Sequence, residues 1–423
     1  MTYHNAIKYI QQAPQELPEE HSGRRLRLVW DALGNPQKNL RYLRLAGSNG
    51  KTVCAELLMS VYKNSNYTVG CLTMPPRSDI REGLFLNGTP LSFDAVASLV
   101  ARVRQAIREI NQARTAEGET EPPSELMLTG SEILLCAALL AFSENGCKLC
   151  LIESDHEHSD PTRFLPPPIA AAICGTIPAN DRKEFQRIRS YLCHGIPEIV
   201  SAPQDADSYR MISDTCAAIN CRLTIPSKSE LTVERLALRS STFTYRGKSY
   251  SLQLCGRFQI SNAMVVLEIL NMLSRRGYGL PDEQIVRGFS QTKLPCKLEI
   301  LSISPTIIAD STHSEVAVEP VCESIADFRD TIGQTIRLCL PRSAIVRRYV
   351  EVLEQKGYRI DSLILYGQDN KEPLPPSAIL CQTVKETVRH ALADLSPTDT
   401  LLISGSYGFT SEIRYEILKT LGF

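Results

Sequence analysis

Leu45-Ala46-Gly47-Ser48-Asn49-Gly50-Lys51-Thr52 is the stretch that decides how the chain is read. The apolar run Tyr42–Ala46 leading into it has the length and make-up of a buried strand. After it, Val53, Leu57, Leu58 and Val61 recur at helical spacing. Strand, glycine-rich turn and helix start are the setting of a phosphate-binding loop. Backbone N–H groups of such a turn point inward, and the helix N-terminus adds partial positive charge. Gly47, Ser48, Asn49 and Gly50 then form the cradle, Lys51 reaches the outer phosphates, and Thr52 supports a magnesium ion. The eight-residue form of the pattern has glycine where this chain has Leu45, so what is present is the shorter G-x-x-G-K-T form.

Length and composition set the frame around this loop. A chain of 423 residues predicts two or three domains. Hydrophobic content of 43% with 22% charged residues is that of a globular protein. A net charge of -1 offers no basic footprint for nucleic acid. The fourteen cysteines are scattered, mostly inside apolar runs, which fits buried free thiols in a reducing cytoplasm better than disulfides. Residues 1–12 lack the long apolar core of a signal peptide, and the longest apolar run, 133–142, is half of what spans a bilayer. A cytoplasmic protein is expected.

Along the chain, residues 3–12 and 24–33 read as helices, the second stopped at Gly34-Asn35-Pro36. Strands are expected at 68–73, 148–153 and 169–174, and helices at 93–112 and 131–145, the last one apolar on all sides and therefore buried. Glu153 ends its strand, and ligands collect at that end of strands in open α/β sheets. Between 220 and 255 the pattern alternates, predicting antiparallel strands at an edge of the first domain. A helix is expected over 262–275. Strands at 306–310, 335–340, 362–366 and 400–404, with helices between them, form a second α/β unit. The expected division is a domain of residues 1–293 with a mostly parallel sheet and a smaller one of residues 294–423.

Several short elements, in order and at matching spacing, resemble the folylpolyglutamate synthase/dihydrofolate synthase family, a branch of the Mur ligases. Leu33-Gly34-Asn35-Pro36 resembles its leucine-glycine-asparagine-proline turn, and Gly47 to Thr52 its nucleotide loop. Asp79-Ile80-Arg81-Glu82 and Asn87-Gly88 resemble two further elements, and Gly256-Arg257-Phe258-Gln259-Ile260-Ser261-Asn262-Ala263 its G-x-H-Q-x-x-N-A signature. Pro295-Cys296-Lys297-Leu298-Glu299 is similar to its proline-glycine-arginine-leucine-glutamate junction, Asp310-Ser311-Thr312-His313 to its aspartate-glycine-alanine-histidine, and Ser404-Gly405-Ser406 to its threonine-glycine-serine. The resemblance implies a P-loop-containing, Mur-ligase-like central domain with a Rossmann-like C-terminal α/β domain. It implies ATP-dependent amide formation: glutamate is added to a folate-type carboxylate through an acyl phosphate, with ATP and Mg2+ required. Lys51, Glu153 and His313 carry over as catalytic residues. Asn262, Lys297 and Asp310 join the loop as nucleotide contacts, and Thr52 and Glu153 as metal ligands. The bare residues also allow Asp310 to be a helix cap and His313 a surface residue.

The departures from the family fall on its chemistry. Its threonine-serine-proline-histidine loop is here Thr73-Met74-Pro75-Pro76, and a thioether is a poor partner for a hard cation. The glycine-rich segment after the strand-end carboxylate is replaced by Ser154-Asp155-His156-Glu157-His158-Ser159-Asp160. The metal-binding histidine aligns near Asn180 and the carbamylated lysine near Ile188. Phe258 replaces the signature histidine, and Lys297 replaces the junction arginine, whose bidentate fork lysine lacks. Two other outcomes therefore stand beside the ligase: a catalytically degenerate nucleotide-binding partner of a paralogous ligase, or a ligase for a non-folate acceptor.

Overall fold

The computed structural model describes residues 1–18, 21–47, 49–74, 79–116, 126–154, 160–177, 182–192, 195–367 and 378–422. They fall into two compact units: Met1–Pro226 with Asn262–Gly288, and Ser227–Ser261 with Phe289–Phe423.

The first unit is built on an eight-stranded sheet of β1 (Tyr42–Ala46), β2 (Val69–Leu72), β3 (Leu84–Leu86), β4 (Thr89–Pro90), β5 (Leu149–Glu153), β6 (Ala170–Ile173), β7 (Glu198–Ser201) and β8 (Arg222–Thr224). Their spatial order is β4-β3-β2-β5-β1-β6-β7-β8. The pairs β2/β3 and β3/β4 are antiparallel and the rest parallel. Strands β1, β5 and β6 are buried throughout, as their unbroken apolar runs require of a sheet covered on both faces. One face packs against helices Tyr3–Gln11, Ser22–Ala32, Phe93–Ala116 and Gly130–Glu144 through Ile10, Trp30, Val100 and Leu139. The other packs against Arg182–Tyr191 and Ala206–Ala218 through Ile188, Tyr191 and Ile212.

Helix Gly130–Glu144 is apolar on all sides and starts with a capping box. The Glu132 N–H donates to Thr129 Oγ1 at 3.2 Å, and the Thr129 N–H donates to Glu132 Oε2 at 2.8 Å. Glu132 Oε1 faces Arg25 Nη2 at 3.4 Å, with both side chains buried. Arg25 also donates to Ser22 Oγ and the Pro18 carbonyl. This charge pair ties two helices across the apolar layer, so losing either partner strands the other in a low-dielectric site.

The second unit contains a three-stranded antiparallel sheet, β9 (Leu231–Ala237), β10 (Ser240–Tyr245) and β11 (Lys248–Leu252), ordered β11-β10-β9. It also contains a six-stranded sheet of β12 (Glu299–Ile303), β13 (Thr306–Asp310), β14 (Thr335–Pro341), β15 (Arg359–Tyr366), β16 (Ala378–Cys381) and β17 (Thr400–Ser404), ordered β12-β13-β17-β14-β15-β16. All its pairings are parallel except β12/β13. Helices Glu315–Ala326 and Ile345–Gln355 cover one face through Val318, Cys322, Tyr349 and Leu353. Helices Val384–Leu392 and Tyr407–Leu421 cover the other through Val388, Ala391, Ile413 and Ile417.

The antiparallel strands thus form a sheet of their own, not an edge of the large one. Leu238 and Cys255, which flank the hairpins, share an apolar cluster with Ile308, Val318 and Leu338, and this groups them with the second unit. The helix expected from residue 262 starts earlier, at Arg257, directly after Gly256 with φ of 102°. Thirteen cysteines lie among the described residues, all free and buried. Two of them, Cys147 and Cys150, are spaced C-x-x-C, which a picture of wholly scattered thiols passes over. Among the described residues no helix is long and apolar enough to cross a membrane.

Replacing Glu132 by Ala should cost the first unit about 3–5 kcal/mol, because it removes the cap and leaves Arg25 buried without its carboxylate. Urea unfolding checks this, with Glu132→Gln, which keeps an acceptor for the cap, expected to lose less.

Candidate nucleotide-binding and catalytic site

Strand β1 ends at Ala46, and the chain turns at once through Gly47 and Gly50 into helix Lys51–Tyr62. Both glycines have positive φ, 118° and 81°. A Cβ on Gly47 would lie 2.1 Å from the Cys174 carbonyl oxygen, so the loop packs directly on the backbone leaving β6. A Cβ on Gly50 would lie 2.6 Å from Asn262 Oδ1. Beneath the loop, Gly175, with φ of 72°, lies so near Asn49 that a Cβ would meet its carbonyl oxygen at 2.7 Å. Gln204 holds this second turn: its Nε2 donates to the Gly175 carbonyl at 2.9 Å and its Oε1 accepts from the Ile177 N–H at 2.8 Å. No periodicity or motif marks Gln204. The nearest signal is Gly175, one residue beyond the Cys174 that follows a strand.

Lys51 is buried, and its Nζ donates to the Gly47 carbonyl at 2.8 Å. Thr52 Oγ1 donates to Glu153 Oε2 at 3.3 Å. Glu153 is opposite Leu45 in the β1/β5 ladder, which places its carboxylate at the mouth of the loop. Next to it, the Ser154 N–H and hydroxyl both donate to the Leu45 carbonyl, at 2.9 and 3.2 Å. The Cys54 thiol, whose sulfur is 3.9 Å from the Asn262 carbonyl, is held well above the usual thiol range by its hydrogen bond with Cys174, then by burial and the Glu153 charge. It is a neutral core thiol and not a nucleophile.

The first unit therefore brings Gly47, Asn49, Gly50, Lys51, Thr52, Glu153 and Asn262 into one neighbourhood. Ser48 lies outside the described residues, as do Pro75, Pro76, residues 155–159 and Asn180. Of the acidic run after Glu153, Asp160 is described. It accepts from the Thr162 N–H and hydroxyl, each at 2.9 Å, and so caps the short turn Pro161–Phe164. Beside it the Tyr191 hydroxyl is pushed up, by burial first and then by the Asp160 carboxylate.

Two of the departures prove to be core positions. Met74 packs in the apolar layer with Leu72, Leu84 and Leu91, and Ile188 in the opposite one with Ile173 and Tyr191. Both are buried, Met74 2% and Ile188 0% exposed, so neither presents a donor to solvent or to a cation.

In the second unit, Asp310 ends β13 and is buried. One of its oxygens accepts from the Leu298 N–H and the other from the Thr312 N–H, each at 2.9 Å. Cys296 and Leu298 have φ of 58° and 49°, a region that residues with a Cβ rarely occupy. The bend is pinned again by Glu299, whose Oε2 accepts from the Cys296 N–H at 3.0 Å. Arg414 grips Glu299 with both arms at 2.6 and 2.7 Å. Lys297 is carried at the crest of this bend. His313 is exposed, its Nδ1 3.2 Å from the Ser311 carbonyl. Ser404, paired with Asp310 in the β13/β17 ladder, shares a 2.7 Å hydrogen bond with the Tyr349 hydroxyl. Phe258, at the place of the family's histidine, packs against the apolar cluster of Val318 and Cys322.

Comparison with known proteins gives a consistent result. No family model matches the chain. A probable bifunctional folylpolyglutamate synthase/dihydropteroate synthase of Halobacterium salinarum is 23% identical over 92% of the chain, which spans 48% of that protein's length. The folylpolyglutamate synthase of Lacticaseibacillus casei is 22% identical, with 74% of each chain covered. Among solved structures, the apo form of the L. casei folylpolyglutamate synthase superposes with a TM-score of 0.81 at 20% identity, covering 99% of this chain and 100% of that one. The folylpolyglutamate synthase of Thermotoga maritima superposes with a TM-score of 0.79 at 18% identity, covering 99% and 97%.

The fold is thus the two-domain α/β architecture of the solved folylpolyglutamate synthases, with the glycine-rich loop following its central strand. Within that fold, the chain is similar, at a distance, to folylpolyglutamate synthases and dihydrofolate synthases, at 22% identity to those of Lacticaseibacillus casei and Bacillus subtilis.

Gly47→Ala should weaken ATP binding by on the order of tenfold or more and cost about 1–3 kcal/mol, because the new methyl must displace the Cys174 carbonyl at a φ that alanine resists. Calorimetric titration and a thermal melt on the same sample check both effects.

Proposed function

We propose that the chain is an ATP-dependent ligase that joins L-glutamate to a folate-type carboxylate. The observation that carries this reading is the loop itself: two glycines packed against backbone and Asn262, Lys51 at its head, and Thr52 facing Glu153 across 3.3 Å. On this reading the loop N–H groups and the helix N-terminus hold the β- and γ-phosphates. Lys51 exchanges the Gly47 carbonyl for phosphate oxygens. The γ-phosphoryl group passes to a carboxylate oxygen of the acceptor, leaving ADP and an acyl phosphate. The glutamate amine attacks the acyl carbon, phosphate departs with the C–O bond electrons, and the amine gives up a proton. Positioning and charge neutralisation supply most of such a rate enhancement.

Magnesium fits the donor set, since the Thr52 hydroxyl and Glu153 carboxylate are hard oxygen ligands. When bound there, it would neutralise phosphate charge. Asn262 borders the loop at Gly50, and Lys297, Asp310 and His313 are the nucleotide contacts proposed for the second unit. Asp310 serves there chiefly by holding the Lys297 bend. The free, buried thiols fit a cytoplasmic site of action.

One observation favours a second reading. Met74 and Ile188 are apolar core residues where the resemblance asks for metal-site groups. A chain that binds ATP but no longer ligates would act as partner to a paralogous ligase.

The two separate in one assay. A ligase releases ADP and phosphate only when glutamate and a reduced pteroate or folate are both present; a silent partner binds ATP by calorimetry and releases none. Lys51→Ala should weaken ATP binding by about tenfold or more. Unchanged affinity would remove the loop assignment, and ATP turnover with a different acid acceptor would replace the folate.

A further inference from the structure

In the second unit, strand β16 ends at Cys381, and helix Val384–Leu392 begins three residues later. Glu386 and His390 are four apart on that helix, the spacing that puts two side chains on one face. The Cys381 sulfur, a Glu386 carboxylate oxygen and a His390 ring nitrogen all lie within 4.8 Å of one another. Cys381 is buried and the other two are half-buried, so the cluster opens toward solvent on one side.

We propose that Cys381, Glu386 and His390 bind a zinc ion. A thiolate, an imidazole and a carboxylate are ligand types that zinc accepts together, whereas magnesium and calcium take oxygen. Zinc bonds of about 2.0–2.3 Å give tetrahedral edges of about 3.3–3.7 Å, so the three atoms need to close by no more than about 1.5 Å. The surroundings are those of a supported site. The Gln382 N–H donates to Glu386 Oε2 at 3.0 Å. The Thr387 hydroxyl donates to the Thr383 carbonyl at 2.8 Å, which fixes the first turn of the helix. Arg389 Nη2 lies 3.5 Å from His390 Nε2 and must give way if that nitrogen is the ligand. Helix capping accounts for Glu386 alone. It does not account for a sulfur and an imidazole converging on the same carboxylate.

Binding replaces the thiol proton, so zinc entry releases one proton and tightens as pH rises. Water fills the fourth position, and the ion fastens the edge strand β16 to the helix packed on it. A ligand held by the folded form alone raises stability.

The test uses the full chain stripped with a chelator. Zinc titration should show one tight equivalent and a raised thermal midpoint, and a large excess of magnesium should not displace it. Cobalt in its place should give a thiolate-to-cobalt charge-transfer band. His390→Ala and Glu386→Gln should each weaken zinc binding by about tenfold or more. Cys381→Ser should abolish the band. The surface variants keep the test decisive if the buried serine disturbs folding. Absence of zinc binding, displacement by magnesium, or unchanged affinity in His390→Ala would overturn the site.

Discussion

The structure of the first unit depends on one close approach: the backbone at Gly47 rests on the carbonyl of Cys174 with no room for a side chain. That approach fixes how β1 passes into its helix, and so where the helix N-terminus and Lys51 lie. It also joins β1 to β6, and the Gly175 turn below repeats the arrangement against Asn49. Glu153 on β5 faces Thr52 from the other side. Three neighbouring strands of the parallel sheet therefore meet at one loop, as expected where ligands gather beyond the carboxyl ends of strands.

Much of this was legible in the chain because its signals are local. The Tyr42–Ala46 run, the two glycines and the following helical spacing mark a strand, a turn and a helix without reference to anything distant. Strands β13 and β17 match their expected limits for the same reason. What escaped was non-local or short. Strands β7 and β8 have four and three residues, too few for any period to show. The hairpins of β9 to β11 were legible as strands, but their grouping was not. It rests on Leu238 and Cys255 joining a cluster whose other members reach as far along the chain as Leu402. Gln204 is a further case: its amide acts on a turn near Gly175, and nothing in its own neighbourhood announces that.

The departures at Met74 and Ile188 gain a physical meaning from their burial. Each lies within an apolar layer that flanks the sheet, so each adds packing where the resemblance leads one to expect a polar group. A polar group buried there would need a partner to offset its desolvation. Met and Ile remove that demand. The loop itself keeps Gly47, Gly50, Lys51 and Thr52, with Glu153 at the neighbouring strand end.

The bend at Cys296 and Leu298 carries a different lesson. The contour is made by two side-chain-bearing residues held in a left-handed conformation by Asp310, Glu299 and Arg414. The crest that carries Lys297 is thus a sprung part, its posture set by carboxylate anchors and not by the preference of its own backbone. The place of Lys297 is thereby written into three other elements, β12, β13 and the helix Tyr407–Leu421, rather than into its own stretch of chain.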